Sequence, residues 1–151
     1  MIRKTKTEDA PHVLKLVNSI LAEEFPDDQS AYAVNDLNSL AESYQAPNSV
    51  FFVAEEKRHI IGTCGVKAEG SETAILRRFF VDKQFRGQGI GCGLLKEALQ
   101  FCKDRGFREV VIRTSTSMEQ AIRLCRSFGF TEDERWPMGQ VTLVLYRLRL
   151  S

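Results

Sequence analysis

The sequence predicts an α+β fold, a sheet with helices on its faces, and three observations predict it. Two stretches of helical spacing come before any β-rich segment. Three strands then follow one another through short polar turns. Two later helices alternate with the remaining strands, so the order reads α-α-β-β-β-α-β-α-β-β. A doubly wound parallel sheet would open on a strand and alternate strand with helix throughout, and this order does neither.

The first helix is announced by Thr7-Glu8-Asp9, a hydroxyl cap with acidic first-turn residues. Ala10, Val13, Leu14, Val17 and Leu21 then recur at helical spacing to an end near Glu24. Pro26-Asp27-Asp28 breaks it, and Leu37, Leu40, Ala41 and Tyr44 suggest a second helix before Pro47-Asn48. The pattern turns to β at Val50 to Ala54, with a charged turn from Glu55 to His59 and a second strand from Ile60 to Ala68. Glu69-Gly70-Ser71-Glu72 reverses the chain into a third strand, Ala74 to Val81. Ile90, Leu94, Leu95, Ala98, Phe101 and Cys102 mark the next helix, stopped by Gly106. Glu109 to Thr114 is a strand. Ser117 with Gln120 forms a capping box for a last helix striped by Ala121, Leu124, Cys125 and Phe128 and closed by Gly129. Two strands finish the chain, around Phe130 to Glu134 and Val141 to Leu150.

The 151 residues, without repeat or linker, suit a single domain spanning 1–151, and 43% apolar content supplies a core. With 21 basic against 20 acidic residues the formal charge is +1, so no overall field favours nucleic acid or an anionic membrane as partner. The charged first residues lack the apolar region of a secretory signal, and no apolar run reaches the ~18–20 residues of a bilayer span. Cys64, Cys92, Cys102 and Cys125 form no C-x-x-C pair, and His12 and His59 sit in unrelated segments. The expectation is therefore no metal and reduced thiols in a cytoplasmic protein.

Chemistry concentrates where the third strand runs into Arg86-Gly87-Gln88-Gly89-Ile90-Gly91-Cys92 and a helix opens. Such a turn leaves backbone N–H groups unpaired at the positive end of a helix dipole, and missing Cβ atoms let an anion approach. Phosphate or pyrophosphate is the ligand chemistry that fits. The P-loop pattern fails, because Cys92 and Leu94 stand where its second glycine belongs. The dinucleotide fingerprint fails at the same two residues. Glycines that serve only close helix packing are the competing reading.

Arg86-Gly87-Gln88-Gly89-Ile90-Gly91 after Phe79-Phe80-Val81 resembles the signature of the GCN5-related N-acetyltransferases, the GNAT family. The later helix ending in Gly129-Phe130 matches that family too. The resemblance implies a three-layer α/β/α domain whose mixed, mostly antiparallel sheet is splayed at an acetyl-CoA site. It also implies that the main chain of Phe79, Phe80 and Val81 pairs with the pantetheine arm, and that Gly87, Gln88, Gly89, Ile90, Gly91 and Cys92 cradle the pyrophosphate. Arg86 would add a charge-assisted contact or stand solvated, and Lys83 the same. The implied reaction is direct attack of a primary amine, of a small molecule or a peptide, on the thioester of acetyl-CoA, with a backbone N–H near Val81 stabilising the oxyanion. A homodimer is compatible with it.

Three positions depart from the family pattern. Cys125 stands where many relatives have a tyrosine acid, Met118 where many have an asparagine and Arg113 where some have a glutamate base. Cys125 lies on an apolar stripe, which makes it a buried spectator thiol before it is an acid. Glu24 and Glu72 are the carboxylates on plausible rims, each competing with a solvated turn charge. Trp136 either lines an acceptor pocket or packs on the sheet. The alternatives are a CoA-binding sensor without catalysis and, further off, a nucleotide-binding oxidoreductase.

Overall fold

A computed structural model describes residues 1–31 and 40–150. Its elements are β1 (Ile2–Lys4), α1 (Ala10–Glu24), a 3-10 stretch (Pro26–Ala31), α2 (Leu40–Ser43), β2 (Val50–Glu56), β3 (His59–Ala68), β4 (Thr73–Val81), α3 (Ile90–Asp104), β5 (Glu109–Ser115), α4 (Glu119–Ser127), β6 (Thr131–Met138) and β7 (Val141–Arg149). The strands form one sheet in the order β1-β2-β3-β4-β5-β7-β6. Every neighbouring pair is antiparallel except β4 with β5.

Helices cover both faces, as alternating strand residues dictate. On one side Val50, Phe52, Cys64, Val66, Val110, Ile112, Val144 and Tyr146 pack with Leu94, Leu95, Ala98 and Cys102 of α3 and Cys125 of α4. On the other, Phe51, Val53 and Phe80 meet Val13, Val17, Ile20 and Leu21 of α1 and Tyr44 beyond α2. The chain approaches itself closely at Gly65, where a Cβ would lie 2.8 Å from the Tyr44 ring and 2.9 Å from that of Phe51. Among the described residues no helix is long and apolar enough to cross a membrane, and no group of three His, Cys, Asp or Glu is arranged to hold a metal ion.

Several expectations are corrected. β1 was not foreseen: its three residues are too few and too charged to show a period, yet they pair with Phe52–Ala54. The α-helix starts at Ala10 after a 3-10 turn, and it is the Asp9 carboxylate, not Thr7, that accepts, from Lys6 N–H at 2.7 Å. Leu37 lies outside the described residues. The β2–β3 turn narrows to Lys57 and Arg58, both at positive φ. Ser117 does not cap α4, because its hydroxyl donates to Asp28 instead. β6 runs on through Trp136 and Pro137 to Met138, which is possible because it is an edge strand, where a missing N–H costs no ladder bond.

Candidate functional site

The site begins where two parallel strands part. β4 and β5 pair from Thr73 with Glu109 to Leu76 with Ile112 and no further. β4 nevertheless continues to Val81 beside β3, and β5 to Ser115 beside β7. A bulge helps to turn β4 away: from Gly65–Arg77 to Thr63–Phe80 it uses three steps against two on β3. Arg78 sits in this bulge at φ +56°, a left-handed conformation that costs a non-glycine residue about 1–2 kcal/mol. The buried Thr63 hydroxyl donates to the Arg78 carbonyl at 2.6 Å and holds it there.

The extra residue also exchanges the faces of β4. Ala74 and Leu76 point toward α3, and beyond the bulge Phe79 and Val81 take that side while Phe80 joins the α1 side. At the strand's end Asp82 N–H donates to Ile61 O at 2.7 Å. By the pleat, the Val81 N–H and C=O therefore point away from β3 and into the gap.

Next to the gap stands the N-terminus of α3. Its first internal bond runs from Gly93 N–H to Gly89 O, which leaves the N–H groups of Ile90, Gly91 and Cys92 without helical acceptors. Gly89 is the N-cap at φ +83° and brings no side chain to satisfy them. Gly87 is at φ +79°, and a Cβ on either glycine would point into open space. A bare, positively polarised helix end is therefore presented to whatever lies above it. Gly91 has a packing role instead, since a Cβ there would come within 3.2 Å of Leu124 on α4.

Arg86 is held in place. Its Nε donates to Val81 O at 3.0 Å, and its two terminal nitrogens donate to Glu24 Oε1 and Oε2, the latter at 2.8 Å. One guanidinium thus ties the end of β4 to the end of α1. This pairing also redefines Glu24: with both oxygens engaged by Arg86, it is an anchor and not a poised base.

These elements enclose a cavity of about 450 Å³ between the glycine turn, the end of β4, Phe25 after α1 and the start of α4. A second cavity of about 310 Å³ opens on the β5 side of the gap, and the two share Phe79, Phe80, Met118 and Ala121 as walls. Ile20 and Phe25 wall the larger cavity from the α1 side and Ile90 and Leu124 from the α3 side, so the site reaches both faces of the sheet.

The Acetyltransferase (GNAT) family model matches residues 14–130. The chain belongs to the GNAT family. Human N-acetyltransferase 8B is 36% identical over 101 residues, covering 63% of this chain and 44% of its own, so the chain spans about half the length of such relatives. A GNAT-family acetyltransferase from Staphylococcus aureus Mu50 superposes over 100% of this chain and 99% of its own, with a TM-score of 0.86 at 23% identity. The structure of yncA from Salmonella typhimurium with its cofactor acetyl-CoA covers 100% of this chain and 94% of its own, with a TM-score of 0.81 at 21% identity. At such identities the superpositions establish the GNAT fold: a splayed, mixed sheet between helical layers.

Of the residues expected to bind a cofactor, Phe79, Phe80, Val81, Arg86, Gly87, Gly89, Ile90, Gly91 and Cys92 all line the larger cavity. Gln88 is exposed and does not, and Lys83 is likewise exposed off the wall. Glu72 is not brought to the site. It lies before Thr73, at the end of β4 farthest from Val81, some nine strand residues or roughly 30 Å away, and faces the exposed Arg108 at 3.7 Å. Cys125 is 1% exposed, lines neither cavity, and burial pushes its thiol up to about 12, which leaves it a poor proton donor. His12 and His59 also stay off both walls, and Trp136 packs on Ile75, Val111 and Leu145.

One group that sequence reasoning missed is Asp28. It is 1% exposed; Oδ2 accepts from the Ser117 hydroxyl, Ser115 and Ser117 hydroxyls lie 2.8 Å apart, and Oδ1 has no hydrogen-bond partner among the described residues. Ser117 lines the larger cavity. In the sequence Asp28 reads as a turn residue after Pro26, and nothing local links it to a serine 89 positions away.

Proposed function

We propose that this protein transfers the acetyl group of acetyl-CoA to a primary amine by direct attack within a ternary complex. The observation that carries this reading is a pair of cavities that share walls at the β4–β5 gap, one of them floored by the bare N-terminus of α3. A pyrophosphate fits the N–H groups of Ile90, Gly91 and Cys92, where a dipole and three donors await it and no side chain competes. An extended pantetheine arm fits beside the end of β4, which has no partner on the β5 side beyond Leu76. That places the thioester at the shared walls, within reach of an amine entering from the smaller cavity. The acetyl-CoA that accompanies yncA, a protein of the same fold, supports the choice of donor.

The chemistry needs a proton acceptor and an oxyanion donor. The Val81 N–H directed into the gap supplies the second, preorganised by the strand that bears it. For the first, an alkylammonium titrates near ~10 and must lose its proton before it can attack. Ser117 on the wall, with the buried Asp28 carboxylate behind it, gives that proton a route off the amine. The departing thiolate is the base of a thiol with pKa ~8.5 and can leave without a dedicated acid, so the burial of Cys125 is no obstacle.

The test is thiol release from acetyl-CoA with a panel of primary amines. Release that depends on the amine and falls roughly 100-fold in Asp28→Asn, with acetyl-CoA affinity retained, is expected. Tight acetyl-CoA binding with no amine accepted would identify a CoA sensor instead.

A further inference from the structure

The smaller cavity carries a pair of arginines that the acetyl-transfer chemistry does not use. Continuing the parallel register one step past its last pair, Leu76 with Ile112, brings Arg77 opposite Arg113 at the mouth of the gap. Both follow by two residues members of the apolar patch Ile75, Val111, Leu145 and Trp136, so both project on that face of the sheet, and both line the cavity. Arg77 is half-buried and Arg113 exposed. Neither is in an ion pair among the described residues. Like charges set across adjacent strands repel, an arrangement that an anion between them relieves. The carboxylate on this wall is Glu69, exposed in the turn before β4 and too far back along the strand to sit between the two guanidinium groups. Arg78, the third arginine on this wall, is buried in the bulge.

We propose that Arg77 and Arg113 bind a carboxylate carried by the acceptor, which makes the acceptor an amino acid or a similar small amine with a free carboxylate. This inference rests on the acetyltransferase reading above. A guanidinium fork matches a carboxylate with two parallel bonds, and the flexible arginine pair spans a gap that widens beyond Leu76. Ile75, Phe79 and Leu143 on the same walls favour an apolar side chain on that acceptor. Its amine then points toward the shared walls at Phe79 and Phe80, where the thioester lies.

The full-length protein is assayed for thiol release at saturating acetyl-CoA with L-leucine and L-phenylalanine, their amides, the corresponding amines lacking any carboxylate, and the aminophosphonate analogues. The amide bears the less basic amine, so chemistry alone favours it. The expected result is a kcat/KM for the acids at least tenfold above that of the amides, and a loss of most of that ratio in Arg113→Gln and in Arg77→Gln, since a charge-assisted contact is worth about one to two powers of ten. Arg108→Gln, outside the cavity, keeps the ratio. An acetyl-CoA melting shift in each variant verifies the fold. Equal or better turnover of amides or simple amines, a preference for the phosphonates, or a ratio unchanged in both arginine variants would overturn the carboxylate site while leaving acetyl transfer standing. No turnover of any amine despite acetyl-CoA binding would instead remove the acetyltransferase reading, and this inference with it.

Discussion

Glu24→Gln separates an anchor from a base. The Glu24 and Arg86 side chains are only 19% and 24% exposed, and the carboxylate accepts from both terminal nitrogens of the guanidinium. Hydrogen bonds to a charged partner contribute about 1.5–3 kcal/mol when dry, and the remaining exposure reduces that to roughly 1–2 kcal/mol. For a chain of this size each kcal/mol moves Tm by about 2–4 °C, so the variant should melt roughly 2–8 °C lower. Glutamine keeps one acceptor for Arg86, so the turn should persist. The expected kinetics are a KM for acetyl-CoA raised severalfold, through a looser glycine turn, and a kcat within about threefold of the wild type. A general base contributes ~100-fold or more. Calorimetric melting with steady-state thiol release reads both quantities. A kcat lower by that factor with Tm unchanged would make Glu24 chemical and refute the anchor.

The glycine turn gives a second expectation: Gly89→Glu, at φ +83°, should cost about 1–2 kcal/mol and leave the fold, but set a carboxylate against the anion site and abolish the acetyl-CoA melting shift. Gly89→Asn, which tolerates the left-handed backbone, should retain most of the shift. Cys125→Ala should keep most turnover and lose about 1 kcal/mol of stability for one buried heavy atom; a ~100-fold loss at normal melting would contradict a spectator thiol. The pH dependence should come in part from Asp9, 7% exposed, whose carboxyl the Arg3 guanidinium, bonded at 2.8 and 3.0 Å, holds below its ordinary range against the cost of burial. The folded state then binds that proton more weakly than the unfolded chain, so the stabilisation is whole above about pH 4 and is lost as pH falls below it. Urea unfolding should accordingly show Asp9→Asn less stable than wild type by about 2 kcal/mol at pH 7, the gap closing toward pH 2. A gap that persists at low pH would contradict this.

What the sequence made legible is what local periodicity can carry. α1 and α3 show their apolar stripes over four turns, and Gly106 and Gly129 adopt the positive φ of helix stops. The turn from Arg86 to Cys92 was readable because its function is a backbone property, and glycine spacing encodes backbone directly. What stayed hidden depends on partners remote in the chain. Arg86 could be read as a phosphate ligand because its anchor lies 62 residues earlier. Ser117 has the spacing of a cap, yet its hydroxyl is taken by Asp28, which crosses from the other helical layer. The bulge at Arg78 has no local signature at all: arginine at positive φ is imposed by pairing with β3, and it is this that opens the gap. Arg113, conspicuous in the sequence as a departure from a family acid, acquires a meaning only beside Arg77, and that neighbour follows from the parallel pairing of β4 with β5.

The cradle at α3 is the centre of the account, and titration calorimetry of the full chain with acetyl-CoA, ATP and NAD tests it most directly. All three ligands bring phosphates, but only acetyl-CoA also brings an extended arm for the free edge of β4. Saturable 1:1 binding of acetyl-CoA at least tenfold tighter than either nucleotide is the predicted result. NAD or ATP binding as tightly as acetyl-CoA would contradict it.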